Sequence, residues 1–221
     1  MTTSKFLRRH WHDFGLISTV VAAVYLIADW SQLVALQQLL LLNFIVVLLH
    51  QFEEYGWPGG FPAVANIVML RSDRPDRYPL NQQSSMVANL LFAYVFYLLP
   101  VFFPKMIWLG LAPVLVGFPL QFFGHVIIVN KKLKSLYSPG VATAVFGHLP
   151  VAAFYIYQIC TNHLATGWDW LFAFLYAIGF AALDFGALEV ALLGDKNSRY
   201  PFDQDEMERM EIGKKFALAQ R

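Results

Sequence analysis

Residues 33–54, LVALQQLLLLNFIVVLLHQFEE, decide the fold. From Leu33 to Phe52 the run is almost wholly apolar and carries no Asp, Glu, Lys or Arg. Its length matches the roughly 20 apolar residues that take a helix across the ~30 Å hydrocarbon core of a bilayer. It ends on His50, Glu53 and Glu54, groups that lipid does not solvate. The fold is therefore expected to be set by membrane spans, and the chemistry by what stands at their ends.

Outward from this run the pattern repeats. Of the 221 residues 57% are hydrophobic and only 14% charged, too apolar for an ordinary soluble domain. Further spans are read at Phe14 to Trp30, Ser84 to Phe103, Met106 to Asn130, Pro139 to Cys160 and Trp168 to Leu192. Asp29 and Trp30 mark the interfacial end of the first. Arg8 and Arg9 before an apolar stretch resemble a secretory signal, but Tyr25 to Trp30 has no small-x-small cleavage pattern, so an uncleaved span is expected. Pro100, Pro113, Pro119 and Pro150 lie inside spans, where neighbouring helices can satisfy the carbonyls they free. Ser138 and Pro139 read as N-cap and first residue of the fifth span. The expectation is an all-α, six-span helix bundle over residues 1–194, followed by a polar tail over 195–221.

Basic residues orient the bundle, since cytoplasmic loops retain Lys and Arg. With the N-terminus inside, that side holds Lys5, Arg8 and Arg9, then Arg71, Arg74 and Arg77, then Lys131, Lys132 and Lys134, then the tail; the other side holds Lys105. Both termini are thus expected in the cytoplasm. The long connection Glu53 to Gln83 contains WPGGFP at 57–62 and an apolar piece, Ala63 to Leu70, too short to span and read as an interfacial or re-entrant helix. In the tail, Asp203 and Glu206 have capping-box spacing ahead of a charged, solvated helix. A net charge of +1 without an arginine-rich arm sets nucleic acid aside as a partner. The single cysteine, Cys160, excludes an internal disulfide or a thiolate metal site and is read as a buried small apolar residue.

Ionisable groups within spans are costly and usually face the bundle interior. They gather here at one depth: His50, Glu53 and Glu54 on span two, His125 on span four, Asp184 and Glu189 on span six. At a rise of ~1.5 Å per residue they fall within roughly 12 Å of the cytoplasmic boundary. On a helix, positions +3 and +4 flank the first residue on one face, so His50 and both glutamates are placed to share a centre. Imidazole with carboxylates suits zinc, iron or manganese. The same spacing also arises as a helix-end salt bridge. His125 has the alternative of a neutral buried histidine bonding a carbonyl, Asp184 that of a structural hydrogen bond, and Glu189 that of reaching water. His148 reads first as a helix–helix hydrogen bond, and Asn43 and Asn89 as interhelical contacts.

Together, His50-Gln51-Phe52-Glu53-Glu54, the WPGGFP segment, Gly124-His125 with Asn130, and Ser138-Pro139-Gly140 leading to Thr143-Ala144 resemble the bacterial membrane proteins named for their HxxEE motif. The resemblance covers spans two to five and implies a multi-pass protein of the bacterial inner membrane; no reaction comes with it. A looser similarity is to the intramembrane CAAX-type proteases, which combine a Glu-Glu pair with later histidines and an asparagine, and which would make Asn130 a catalytic candidate. Three departures stand against that likeness. The turn after Glu53-Glu54 lacks the arginine that family carries, Gln121 replaces its phenylalanine, and the step from His125 to Asn130 is one residue longer.

The leading expectation is a membrane-embedded, metal-dependent hydrolase. His50, Glu53 or Glu54, and His125 would hold a divalent ion, Asp184 or Glu189 would ligate or orient, and the spare glutamate would serve as general base. The substrate would be a lipid or small molecule from the cytoplasmic side. A di-iron carboxylate oxidoreductase is the second enzymatic reading, disfavoured by the absence of paired Glu-x-x-His runs. The non-enzymatic readings are a small proton- or ion-coupled transporter and a non-catalytic membrane protein.

Overall fold

The computed structural model describes residues 3–220 and is all-helical, with no strand among the described residues. Six helices are long and apolar enough to cross a membrane: α1 (Thr3–Ala28), α2 (Ala35–Tyr55), α4 (Gln82–Phe102), α5 (Ile107–Leu133), α6 (Val141–Thr161) and α7 (Gly167–Leu192). Between α2 and α4 lies the short α3 (Phe61–Ala63, continuing in wider turns through Val64–Met69), and α8 (Gln204–Glu208) and α9 (Ile212–Ala219) follow α7. Large apolar side chains cover the outside, among them Ile27 at 77%, Phe146 at 82% and Leu183 at 70% exposure. Water would solvate such a surface poorly, whereas lipid chains match it.

Helix α2 runs through the middle of the bundle, buried from Leu40 through Val47 and Leu48 to His50, with α1, α4, α5 and α6 around it. Its core partners include Phe92 and Phe96 from α4, Leu111 from α5, and Tyr155 and Ile159 from α6. The helix that carries His50, Glu53 and Glu54 is thus, together with α4, the most buried of the six.

Several boundaries differ from expectation, each for a local reason. α1 begins at Thr3 instead of Phe14, kinking at His10 (φ −117°, ψ 15°). α6 begins at Val141, not at Pro139, because Gly140 stands before it in the left-handed region (φ 95°) and interrupts helical geometry. The N-cap of α7 is Thr166, which forms a reciprocal capping box with Asp169. α5 breaks at Phe118 (φ −143°, ψ 124°), since Pro119 excludes the helical region for the residue before it. Cys160 is exposed on the outside of α6, correcting the expectation of burial.

The segments Phe92–Tyr97, Val116–Val129, Ala144–His148 and Ala182–Leu192 have the wider i→i+5 turn. His125, His148, Asp184 and Glu189 all lie in such segments. Widened turns within α-helices recur at functional positions, because they re-aim side chains that a regular helix would point elsewhere.

The tail is not a solvated helix. Phe202 and Ile212 are buried, and Ile212 packs with Val64, Val68, Val129 and Leu133. The expected capping box is present, with Glu206 accepting from the Asp203 N–H at 2.7 Å and from Gln82 Nε2 at 2.7 Å. The helix then breaks, because Met210 (φ 56°) and Glu211 (φ 52°) leave the helical region. Arg209 reaches back to donate to the carbonyls of Tyr55 at 2.6 Å and Gly56 at 2.7 Å, groups the end of α2 leaves without intrahelical partners. Gly59 (φ 73°) and Gly60 (φ 104°) hold left-handed backbone, and a Cβ on Gly60 would also stand 3.1 Å from the Arg209 carbonyl oxygen, which is why the WPGGFP turn has two glycines there. Lys5 pairs with Asp203 at 2.9 Å and Arg9 with Asp203 and Asp205, so the start of α1 meets the start of α8.

Candidate metal centre

Three of the expected site residues converge. Glu54 Oε1 lies 3.3 Å from His125 Nε2 and 3.6 Å from His50 Nε2, and the donor atoms of His50, Glu54 and His125 all lie within 4.8 Å of one another. The two imidazoles stand nearly perpendicular, with ring centres 4.9 Å apart at 83°. All three residues are buried. The i,i+4 spacing on α2 places His50 above Glu54, and the wide turns of α5 bring His125 across to them.

Glu53, one position earlier, faces α6. Its Oε1 accepts from Tyr137 Oη at 2.8 Å and the Ala142 N–H at 2.9 Å; its Oε2 accepts from the Thr143 N–H at 2.8 Å and Thr143 Oγ1 at 2.5 Å. A carboxylate at these free N–H groups satisfies the start of α6 and is favoured by the helix dipole, typically by about 0.3–1 kcal/mol and by up to ~2 kcal/mol when partly buried. Burial and the contact with Glu53 push the Tyr137 phenol well above its ordinary range, so it remains a donor.

Thr143 links that carboxylate to the cluster, because its Oγ1 also lies 2.8 Å from His50 Nδ1. The hydroxyl has one proton, which points to the acceptor-only Glu53. His50 Nδ1–H must then be the donor to Thr143, which leaves the Nε2 lone pair free and aimed at Glu54. His50 Nε2 has no hydrogen-bond partner among the described residues. A buried nitrogen prepared in this way fits a metal ligand, whose other ring nitrogen usually donates to an orienting group.

Gly140 allows the two rings to meet. A Cβ there would stand 2.7 Å from His125 Nδ1 and Cε1 and 2.8 Å from His50 Cε1, and its φ of 95° strains any other residue.

The remaining candidates are placed as follows. Glu189 lines a cavity of about 350 Å³ together with His50 and Glu54, and accepts from Ser85 Oγ at 3.1 Å. Asp184 is buried, and neither carboxylate oxygen has a hydrogen-bond partner among the described residues. Asn130 donates to the Leu136 carbonyl at 3.0 Å and pins the connection from α5 to α6. His148 stands edge-on to His50, with ring centres 5.4 Å apart at 72° and neither nitrogen hydrogen-bonded among the described residues, so the expected interhelical hydrogen bond is not formed. Asn89 does bridge helices, since its side-chain Nδ2 donates to Tyr55 Oη on α2 at 3.5 Å, and its main-chain carbonyl accepts from Gln51 Nε2 at 2.8 Å. Sequence reasoning missed Thr143 and Gly140 as parts of the centre; both sat in the motif block without an assigned role.

Six apolar helices around a buried His–Glu–His cluster define the class: a polytopic helical protein with a polar site inside its bundle. A family model described as a protein of unknown function with HXXEE motif matches residues 41–155, just over half of the chain. The chain belongs to this HXXEE family, and the matched region contains His50, Glu53, Glu54, His125, Gly140 and Thr143. No curated protein and no solved structure matches it.

Proposed function

We propose that this protein is a membrane-embedded, metal-dependent hydrolase whose ion is held by His50 Nε2, Glu54 Oε1 and His125 Nε2. One observation carries the reading. Bonds of ~2.0–2.2 Å in a tetrahedral site place neighbouring ligand atoms about 3.3–3.6 Å apart, and the two separations from Glu54 are 3.3 and 3.6 Å. Three protein ligands leave a fourth position for water, the pattern of catalytic zinc sites. Such an ion lowers the pKa of its water to about 7. Glu54 is then the ligand glutamate, Glu53 orients His50 through Thr143, and Glu189, which lines the same cavity, is the carboxylate placed to take a proton from that water. Two histidines and one carboxylate also form the facial triad of non-haem iron oxygenases, so the metal itself separates hydrolysis from oxidation.

The same reading places both termini, α3 and the open end of the centre on the cytoplasmic side of a bacterial inner membrane, with α3 as an interfacial helix. The distribution of Lys and Arg supports it.

Elemental analysis of detergent-purified protein tests the proposal. About one zinc or manganese per chain, lost in His50→Ala and His125→Ala variants that elute as wild type, is the expected result. Folded wild type without stoichiometric metal overturns it, and iron with oxygen consumption moves the assignment to the oxygenase.

A further inference from the structure

The cavity in front of the cluster changes character along its length. Its buried wall presents the polar groups of His50, Gln51, Glu54 and Glu189 beside apolar side chains such as Val47 and Phe92. Its outer end is apolar and open: Met69, Leu70, Leu120 and Val190 line it while remaining 39%, 51%, 56% and 37% exposed. These four side chains belong to α3, α5 and α7 or to residues beside them, so the mouth lies in the flank of the bundle among apolar helix faces. A soluble substrate would meet an apolar doorway that contributes nothing to its recognition, whereas a hydrocarbon chain would fill it.

Two cations neighbour the exposed lining residues Met69 and Leu70. Lys132 Nζ is 3.5 Å from the Val68 carbonyl and 3.6 Å from Met69 Sδ. Arg71 directly follows Leu70, with its guanidinium 5.9 Å from the centre of the Phe216 ring. Neither has an ion-pair partner among the described residues. Lys132 lies in the last turn of α5, and the rise from it inward to His125 is about 10 Å. The headgroup layer is roughly 5–7 Å thick on each side of a bilayer. A head held at Lys132 and Arg71 therefore brings the first bonds below it to the depth of His50, Glu54 and His125.

We infer that the substrate is a long-chain phospholipid with an anionic headgroup, which enters sideways from the leaflet with its head between Arg71 and Lys132 and its chain between Leu120 and Val190. This rests on the His50–Glu54–His125 cluster being the reacting centre, and the test separates the two claims. Phosphatidic acid carrying a diazirine in one acyl chain is added to the full-length protein in phosphatidylcholine vesicles, with and without EDTA. Adducts are mapped by mass spectrometry, and metal content is measured on the same samples.

Adducts are expected on Met69, Leu70, Leu120 and Val190 and on Phe185, which also lines the cavity, exceeding those from a diazirine phosphatidylcholine of the same chain by on the order of tenfold, given two cations near the membrane surface. The double variant Arg71→Gln, Lys132→Gln should remove the headgroup preference. Leu120→Trp and, separately, Val190→Trp should deplete cavity adducts while leaving those on the outward-facing Phe146 and Leu183 unchanged, which also reports folding. Equal labelling by the two lipids in wild type, or labelling spread over Ile27, Phe146 and Leu183 as heavily as over the cavity, overturns the inference. Cavity labelling without bound metal upholds the lipid site and removes the hydrolase; bound metal without cavity labelling rejects the lipid site alone.

Discussion

At the scale of the residue, the division of labour between Glu53 and Glu54 matters most. Positions +3 and +4 from His50 are equivalent on a helical wheel, so the sequence offers two glutamates and no means of choosing. The choice is made by the backbone of Ala142 and Thr143, distant in the chain, whose N–H groups bind Glu53 and leave Glu54 to the histidines. Thr143→Val should remove the acceptor that fixes His50 and lower metal affinity by about 10–100-fold, as losses of orienting partners usually do. Thr143→Ser keeps the hydroxyl and should stay close to wild type; titration with a competing chelator reads both. Gly140→Ala should be harsher, adding left-handed strain of about 1–3 kcal/mol to a collision with both imidazoles, and should show as a lower unfolding temperature together with lost metal. His50 and His125 were legible as candidates because an imidazole among apolar neighbours stands out at once. Gly140 was not, since the need for a glycine appears only when two rings from other helices arrive beside it.

At the scale of the element, the tail differs most from its sequence. Asp203 and Glu206 announce a helix start by their spacing, and that start is present. Nothing local shows that Ile212 becomes fully buried or that Arg209 caps a helix laid down far earlier, because both depend on partners remote in the chain. Arg209→Ala should free the carbonyls of Tyr55 and Gly56 and loosen the last turn of α2, at about 1.5–3 kcal/mol, the usual worth of a charged hydrogen bond. Faster hydrogen exchange at Gln51 to Tyr55 would show it. The dock should also respond to acid. Burial resists charge on Asp203, but hydrogen bonds from Lys5 and Arg9 outweigh it and hold this carboxyl below its ordinary value. A depressed carboxyl contributes stability above its unfolded pKa of ~3.9, and that contribution is lost as pH falls through the lower folded value. Glu206 acts in the opposite sense, since burial raises it and docking strengthens as pH falls through that raised value. A spin label at Lys215→Cys in a Cys160→Ser background should therefore stay immobilised in mild acid and gain mobility below about pH 4. Asp203→Asn should be mobile already at neutral pH.

At the scale of the whole molecule, the six long apolar helices were legible almost in full, because hydrocarbon thickness imposes one length on every crossing and that length is written in composition alone. Their breaks were legible only as prolines: Pro119 marks the interruption of α5, yet the wide turns that carry His125, His148, Asp184 and Glu189 leave no comparable trace. Reporters fused after Lys134 or at the C-terminus should read as cytoplasmic, and reporters placed near Lys105 or His163 as external. A periplasmic signal from the segment Arg71 to Arg77 would overturn the six-span arrangement and, with it, the gathering of the candidate residues near the cytoplasmic boundary. The hold of Arg209 on α2 has a consequence for biosynthesis. Ribosomes add about 5–20 residues per second, so roughly 8–30 s separate the emergence of Glu54 from that of Arg209. Throughout that interval the end of α2 is in place without its cap, and the carbonyls of Tyr55 and Gly56 wait for a partner that is synthesised last.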